Sequence, residues 1–119
     1  MKQPVGSSLL AIGSLHVVFS LVRFRLPLLE IVENGVVAGA HTPEQFGAFW
    51  FLVAGPLMVL CGISVRAQEA TGSTPGPLFG WTLLATAVLG VAVFPVSGFW
   101  LLLLPGILAM RTGKTGAAV

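Results

Sequence analysis

Three ionisable residues, His16, Arg23 and Glu30, recur every seven positions inside one long apolar run, and Ser20 and Asn34 fall on the same stripe. At 100° of rotation per residue these positions all stay within about 40° of His16 on a helix, flanked by Leu, Val and Phe. A run this apolar predicts a membrane-crossing helix. A charge at bilayer depth is unfavourable by roughly 2.5–3.5 kcal/mol on insertion scales, and is tolerated chiefly where it faces protein or a water-filled cavity. The stripe therefore demands a fold that gives it something other than lipid to face.

Composition points the same way. The 119 residues are 55% hydrophobic and 8% charged, with mean hydropathy +0.97, too apolar for an ordinary soluble domain and too short for a second one. The expected class is all-α: an integral membrane four-helix bundle occupying residues 1–119. The net charge of +2 comes from six basic and four acidic residues, so no basic patch exists and no nucleic-acid partner is expected. Cys61 is the single cysteine, which excludes an intramolecular disulfide or a cysteine metal cluster and reads as a small core residue. Lys2 before an apolar stretch imitates a signal peptide. The run continues past any cleavage point, however, and Arg23 and Arg25 stand where small exit residues belong, so a retained helix is expected.

Hydropathy and punctuation predict helices over about 7–32, 43–66, 78–94 and 97–110. The first ends at Glu33, Asn34 and Gly35, where Gly35 can supply a left-handed cap. Thr42, Pro43, Glu44 and Gln45 give the clearest start signal: a hydroxyl N-cap, proline at the first helical position, an acid at the positive end of the dipole and a capping-box amide. Pro56 predicts a kink in the second helix, and Pro27 a bend in the first. Residues 67–77 form a solvated connection. Only Pro95 and Val96 separate the last two helices, which implies an antiparallel hairpin, with one long bent helix as the alternative. The tail after Arg111 is expected to fray. Lys2, Arg66, Arg111 and Lys114 lie on one side of this layout, and the opposite loops carry no Lys or Arg, so both termini are expected in the cytoplasm.

Candidate site residues collect at the far end of the first helix. Arg23, Glu30, Glu33, Asn34, His41 and Glu44 would form one polar cluster, although Glu30 and Arg23, two turns apart, are too distant for an ideal direct pair. Each has a plainer role: Glu44 a cap acid, Glu33 and Asn34 solvated loop, His41 a surface residue, and Arg25, opposite His16, a side chain snorkelling to the interface. His16 serves either a helix–helix hydrogen bond or a function. No HxxxH, HExxH or cysteine spacing occurs, so no metal and no cofactor are expected. Gly47, Gly55 and Gly62, then Ala85, Ala87 and Gly90, then Gly98 and Gly106 read as small surfaces for close helix packing. Trp50, Trp81 and Trp100 sit near helix ends as interface anchors, and Trp50 and Trp100 would also wall a pocket beside the cluster.

His16 and Glu30 in the first span, the Phe49, Trp50, Phe51 run with Gly55 and Gly62, Gly80 and Trp81 opening the third span, and the Pro95, Ser97, Gly98, Phe99, Trp100 run together resemble a family of small bacterial four-span membrane proteins of unknown function, DUF6463. The likeness covers most of the chain. It implies a bacterial inner-membrane, multi-pass protein and supplies no activity. Length and span count are also similar to small multidrug resistance transporters, which are expected to carry a membrane-embedded glutamate in the first span, where this chain has His16.

Three functions fit these residues. One is a site for a lipophilic small molecule, binding or non-redox isomerase or cyclase chemistry, with Glu30 as general acid or base, His16 or His41 as proton partner, Arg23 orienting the carboxylate, and Trp50, Trp100, His41, Glu44, Asn34 and Ser97 around the ligand. Another is a homodimeric proton-coupled transporter with His16 titrating and Glu30 as a gate. The third is an accessory membrane subunit whose polar stripe meets a partner.

Overall fold

The structure is a computed structural model that describes residues 3–95 and 97–117, the last five as backbone alone. Lys2 and Val96 lie outside the described residues, as does the side chain of Lys114. The described residues are helical with no strand: α1 Pro4–Arg23, α2 Arg25–Glu33, α3 Pro43–Ala70, α4 Pro77–Val93, a 3-10 segment Gly98–Leu102, and α5 Leu103–Ala117.

The stretch expected as one helix over 7–32 is two. Pro27 has no N–H to offer the carbonyl of Arg23, and the ladder breaks at Phe24, which leaves the helical region at φ −108° and ψ 21°. Phe24 still donates to the Ser20 carbonyl and accepts from the Leu28 N–H, so the break is a bend between stacked turns. α2 closes as expected at Gly35 (φ +99°): Gly35 N–H reaches Val32 O and Val36 N–H reaches Ile31 O, the paired bonds of a Schellman cap. α3 opens on the expected capping box, with Gln45 N–H on Thr42 Oγ1 and Gln45 Oε1 accepting from Thr42 N–H. It runs unbroken through Pro56 to Ala70, four residues beyond the expected end. It stops on a second Schellman cap, at Gly72 (φ +80°). The last helix also differs from expectation: it begins as a 3-10 turn, and α5 continues to Ala117 where fraying was expected after Arg111.

α1 and α3 form one antiparallel pair and α4 and α5 another, joined by contact of α1 with α5. The last two helices are thus a hairpin, and the single bent helix is excluded. α3 and α4, consecutive in the chain, nowhere bring Cα atoms within 8 Å, so the arrangement is two pairs joined along α1–α5 and not a bundle closed on every side. The molecule measures 56 × 29 × 20 Å. Val5, Leu9, Val65, Ala87, Leu102 and Ala109 make the buried core, with Met58, Cys61 and Phe99 packed against it.

The α1–α3 contact is made over glycines seven residues apart on each helix. A Cβ on Gly13 would lie 2.8 Å from the Val59 nitrogen, and one on Gly62 would lie 2.7 Å from the Leu10 nitrogen. Such approach is how apolar helices gain dispersion energy when both are surrounded by hydrocarbon. Gly55 and Gly62 lie in this contact as expected, whereas Gly47 has nothing within 4 Å of its would-be Cβ and takes no part. In the hairpin, Gly80 meets Met110, Gly90 meets Phe99 and Gly106 meets Leu84; Gly98 meets nothing and Ala85 is exposed, contrary to expectation.

Two helices, Pro4–Arg23 and Pro43–Ala70, are long and apolar enough to cross a membrane; Pro77–Val93 and Gly98–Thr112 are apolar but shorter.

Candidate functional site

The bend at Phe24 divides the polar stripe. Ahead of it His16 and Ser20 face α3. The His16 imidazole stacks on the Phe51 ring at 4.0 Å between centroids and 19° between planes. Its Nε2 lies 2.8 Å from the Phe51 carbonyl oxygen. A carbonyl offers no proton, so Nε2 carries the hydrogen and donates it. Ser20, fully buried, turns its hydroxyl back onto the His16 carbonyl at 2.6 Å. Phe19 and Phe24 complete an aromatic group around Phe51, at 6.0 and 5.0 Å.

From the last residue of α1 onward the stripe is exposed. Arg23 is exposed and lies over the Phe24 ring at 5.5 Å, a cation–π contact. Glu30 is exposed on its outer side and accepts at Oε2 from Gln45 Nε2, 2.8 Å away. Among the described residues no ion pair joins Arg23 to Glu30, and His16 has no hydrogen bond to either. The three residues expected to act together are thus held by three different partners.

Gln45 is the hub of the Glu30 end. It is 5% exposed, its Oε1 accepts from His41 N–H (2.7 Å) and Thr42 N–H (3.2 Å), and its Nε2 serves Glu30. Asn34 donates to the Gly39 carbonyl at 2.9 Å and lies 3.4 Å from His41 Nδ1. Glu30, Asn34, His41 and Gln45 are therefore brought together, as a network that closes the α2–α3 connection. Glu44 and Glu33 stand outside it, exposed. Trp50 is exposed and packs edge-on against Phe49. Ser97 caps the 3-10 segment, its hydroxyl accepting from Phe99 N–H, and Trp100 Nε1 donates to the Pro95 carbonyl at 2.8 Å. Among the described residues no three His, Cys, Asp or Glu side chains group closely enough to hold a metal ion.

The most committed polar group was not anticipated from the sequence. Glu69, in the last turn of α3 and 5% exposed, places Oε1 3.0 Å from Val5 N–H and Oε2 3.0 Å from Gly6 N–H. Those amides sit at the start of α1, where a helix has donors without internal partners and a positive dipole end. One carboxylate from the second long helix thus caps the first, with a charge-assisted bond to each oxygen. The spacing carried a signal: Gly55, Gly62 and Glu69 continue one seven-residue register onto the packed face.

Residues 1–116 match DUF6463, a family of unknown function. The chain belongs to that family. No curated protein and no solved structure matches it.

Proposed function

We propose that the protein is a four-crossing membrane protein of the bacterial inner membrane, with both termini cytoplasmic, that acts as an accessory subunit through its apolar surface. The observation carrying this reading is the division of labour among side chains. The helix-borne polar groups His16, Ser20, Gln45 and Glu69 are bonded inward, while Leu15, Val18, Val22, Leu57, Leu60, Val88 and Leu89 are turned outward, each at least half exposed. Only 28% and 22% of the apolar windows of α1 and α3 are buried, the reverse of a soluble core helix. The exposed hydroxyls of Ser14, Ser64, Thr82 and Thr86 bond to carbonyls four residues back, as a medium without water requires. α1 is about 30 Å long, the thickness of a bilayer core, and ends between Arg23 and Arg25, which then lie at headgroup depth.

Native mass spectrometry with lipids retained tests this. The expected result is a complex of fixed stoichiometry with a second polypeptide and no small molecule bound one to one. A monomer carrying one lipophilic molecule per chain, lost on Glu30→Gln or His16→Ala, overturns it.

That alternative outcome has its own support, since Phe51, which stacks on His16, also meets Phe19 and Phe24, the residue at which α1 bends, and Arg23 lies over Phe24. In this second reading a lipophilic ligand enters beside the bend and the imidazole addresses its polar end.

A further inference from the structure

At the Glu69 end a pocket of about 260 Å³ opens between the start of α1 and the end of α3, lined by Gln3, Ile63, Arg66, Ala67 and Ala70. Its wall is methyl and methylene; its polar groups are one guanidinium and one amide. Arg66 is held in place there from two directions. Its stem crosses Gly6 so closely that a Cβ on Gly6 would meet Arg66 Cγ at 2.3 Å, and its Nε donates to Gln3 Oε1 at 3.0 Å. Both Nη groups remain without a protein acceptor among the described residues. The neighbouring acid does not occupy them, because both oxygens of Glu69 accept from the Val5 and Gly6 amides and no ion pair joins it to Arg66 among the described residues. A guanidinium tethered through Nε, with both Nη groups open at the rim of an apolar groove, suits an oxyanion that carries hydrocarbon.

We infer that this groove binds the phosphate of an anionic phospholipid, the two Nη groups on the phosphate and the first methylenes of an acyl chain over Ile63 and Ala67. The inference rests on the membrane reading above, which puts the start of α1 at headgroup depth. The pocket is smaller than the roughly 300–1,000 Å³ that encloses a drug-sized molecule, and suits a headgroup whose chains stay in the bilayer. A basic side chain near an anionic membrane surface contributes about 1 kcal/mol, close to a fivefold preference.

The test begins by washing membranes of expressing cells with alkaline carbonate. Release of the full chain into the supernatant would end the membrane reading and this inference with it. The purified chain in neutral detergent is then offered phosphatidylglycerol and phosphatidylcholine of identical acyl chains, and retained lipid is read by native mass spectrometry. Wild type should keep phosphatidylglycerol about fivefold better. Arg66→Gln should bring the two lipids to parity, Arg66→Lys should restore part of the preference, and Arg25→Gln, exposed at the other end, should leave it intact. Parity in wild type, or a preference that survives Arg66→Gln, overturns the inference while leaving the membrane reading standing. Displacement of phosphatidylglycerol by equimolar inorganic phosphate would assign the groove to a soluble anion and likewise overturn it.

Discussion

The α1–α3 pair and the α4–α5 hairpin both bring helices together over glycine, but different atoms limit the approach. In α1–α3 the nearest atoms to a Cβ on Gly13 and on Gly62 are backbone nitrogens, which cannot move unless the helix moves. In the hairpin they are the ends of Met110 and Leu84 and the ring of Phe99, which can rotate away. The first pair is also fastened by side chains from one helix to the other: Glu69 to Val5 and Gly6, His16 to Phe51, and Gln45 to Glu30 across the bend. In the hairpin the side-chain bonds of Thr82, Thr86, Ser97 and Trp100 each stay within five residues of the donor or acceptor. A glycine contact limited by backbone and pinned at both ends specifies one register, while a contact limited by side chains tolerates repacking.

Substitutions probe this contrast, all read as shifts in unfolding on titration with sodium dodecyl sulfate. Gly13→Leu should destabilise by about 3 kcal/mol or more, since the Val59 backbone cannot yield, whereas Gly106→Ala should cost only about 1 kcal/mol because Leu84 can change rotamer. Equal losses at the two sites would erase the distinction. Glu69→Ala should cost about 2–3 kcal/mol, for it strands two buried amides and removes two charge-assisted bonds. A loss below about 0.5 kcal/mol there would mean water caps α1 equally well. His16→Phe keeps the stacking and removes the bond to the Phe51 carbonyl, so about 1 kcal/mol is expected. The smallest effect, and of opposite sign, is Gly47→Ala: with open space around it, the better helix former should stabilise by about 0.5–1 kcal/mol.

How far the sequence could be read depended on how far apart the interacting residues lie. The Thr42–Gln45 capping box and the Gly35 cap were legible because both partners sit within a few residues of each other. The polar stripe was legible as far as Ser20. Carrying 100° per residue through Pro27 then misplaced Glu30, since the break at Phe24 turns everything after it, whereas Arg23, the last residue of α1, lies ahead of the break and is exposed there. Glu69 was missed because one acid near a helix end looks like a solvated residue, and its partners are 63 and 64 positions away. The seven-residue register through Gly55 and Gly62 marks its face without naming what lies opposite. The separation of α3 from α4 had no local signature either, because it follows from which pairs pack best and not from any one segment.

The Glu69 cap has a consequence for biosynthesis. Val5 and Gly6 are polymerised 64 and 63 residues ahead of the carboxylate that satisfies them, an interval on the order of 3–13 s at typical ribosomal speed. Throughout it the leading turn must find other partners for its two amides. The nascent chain therefore seals that turn only after the second long helix has been synthesised.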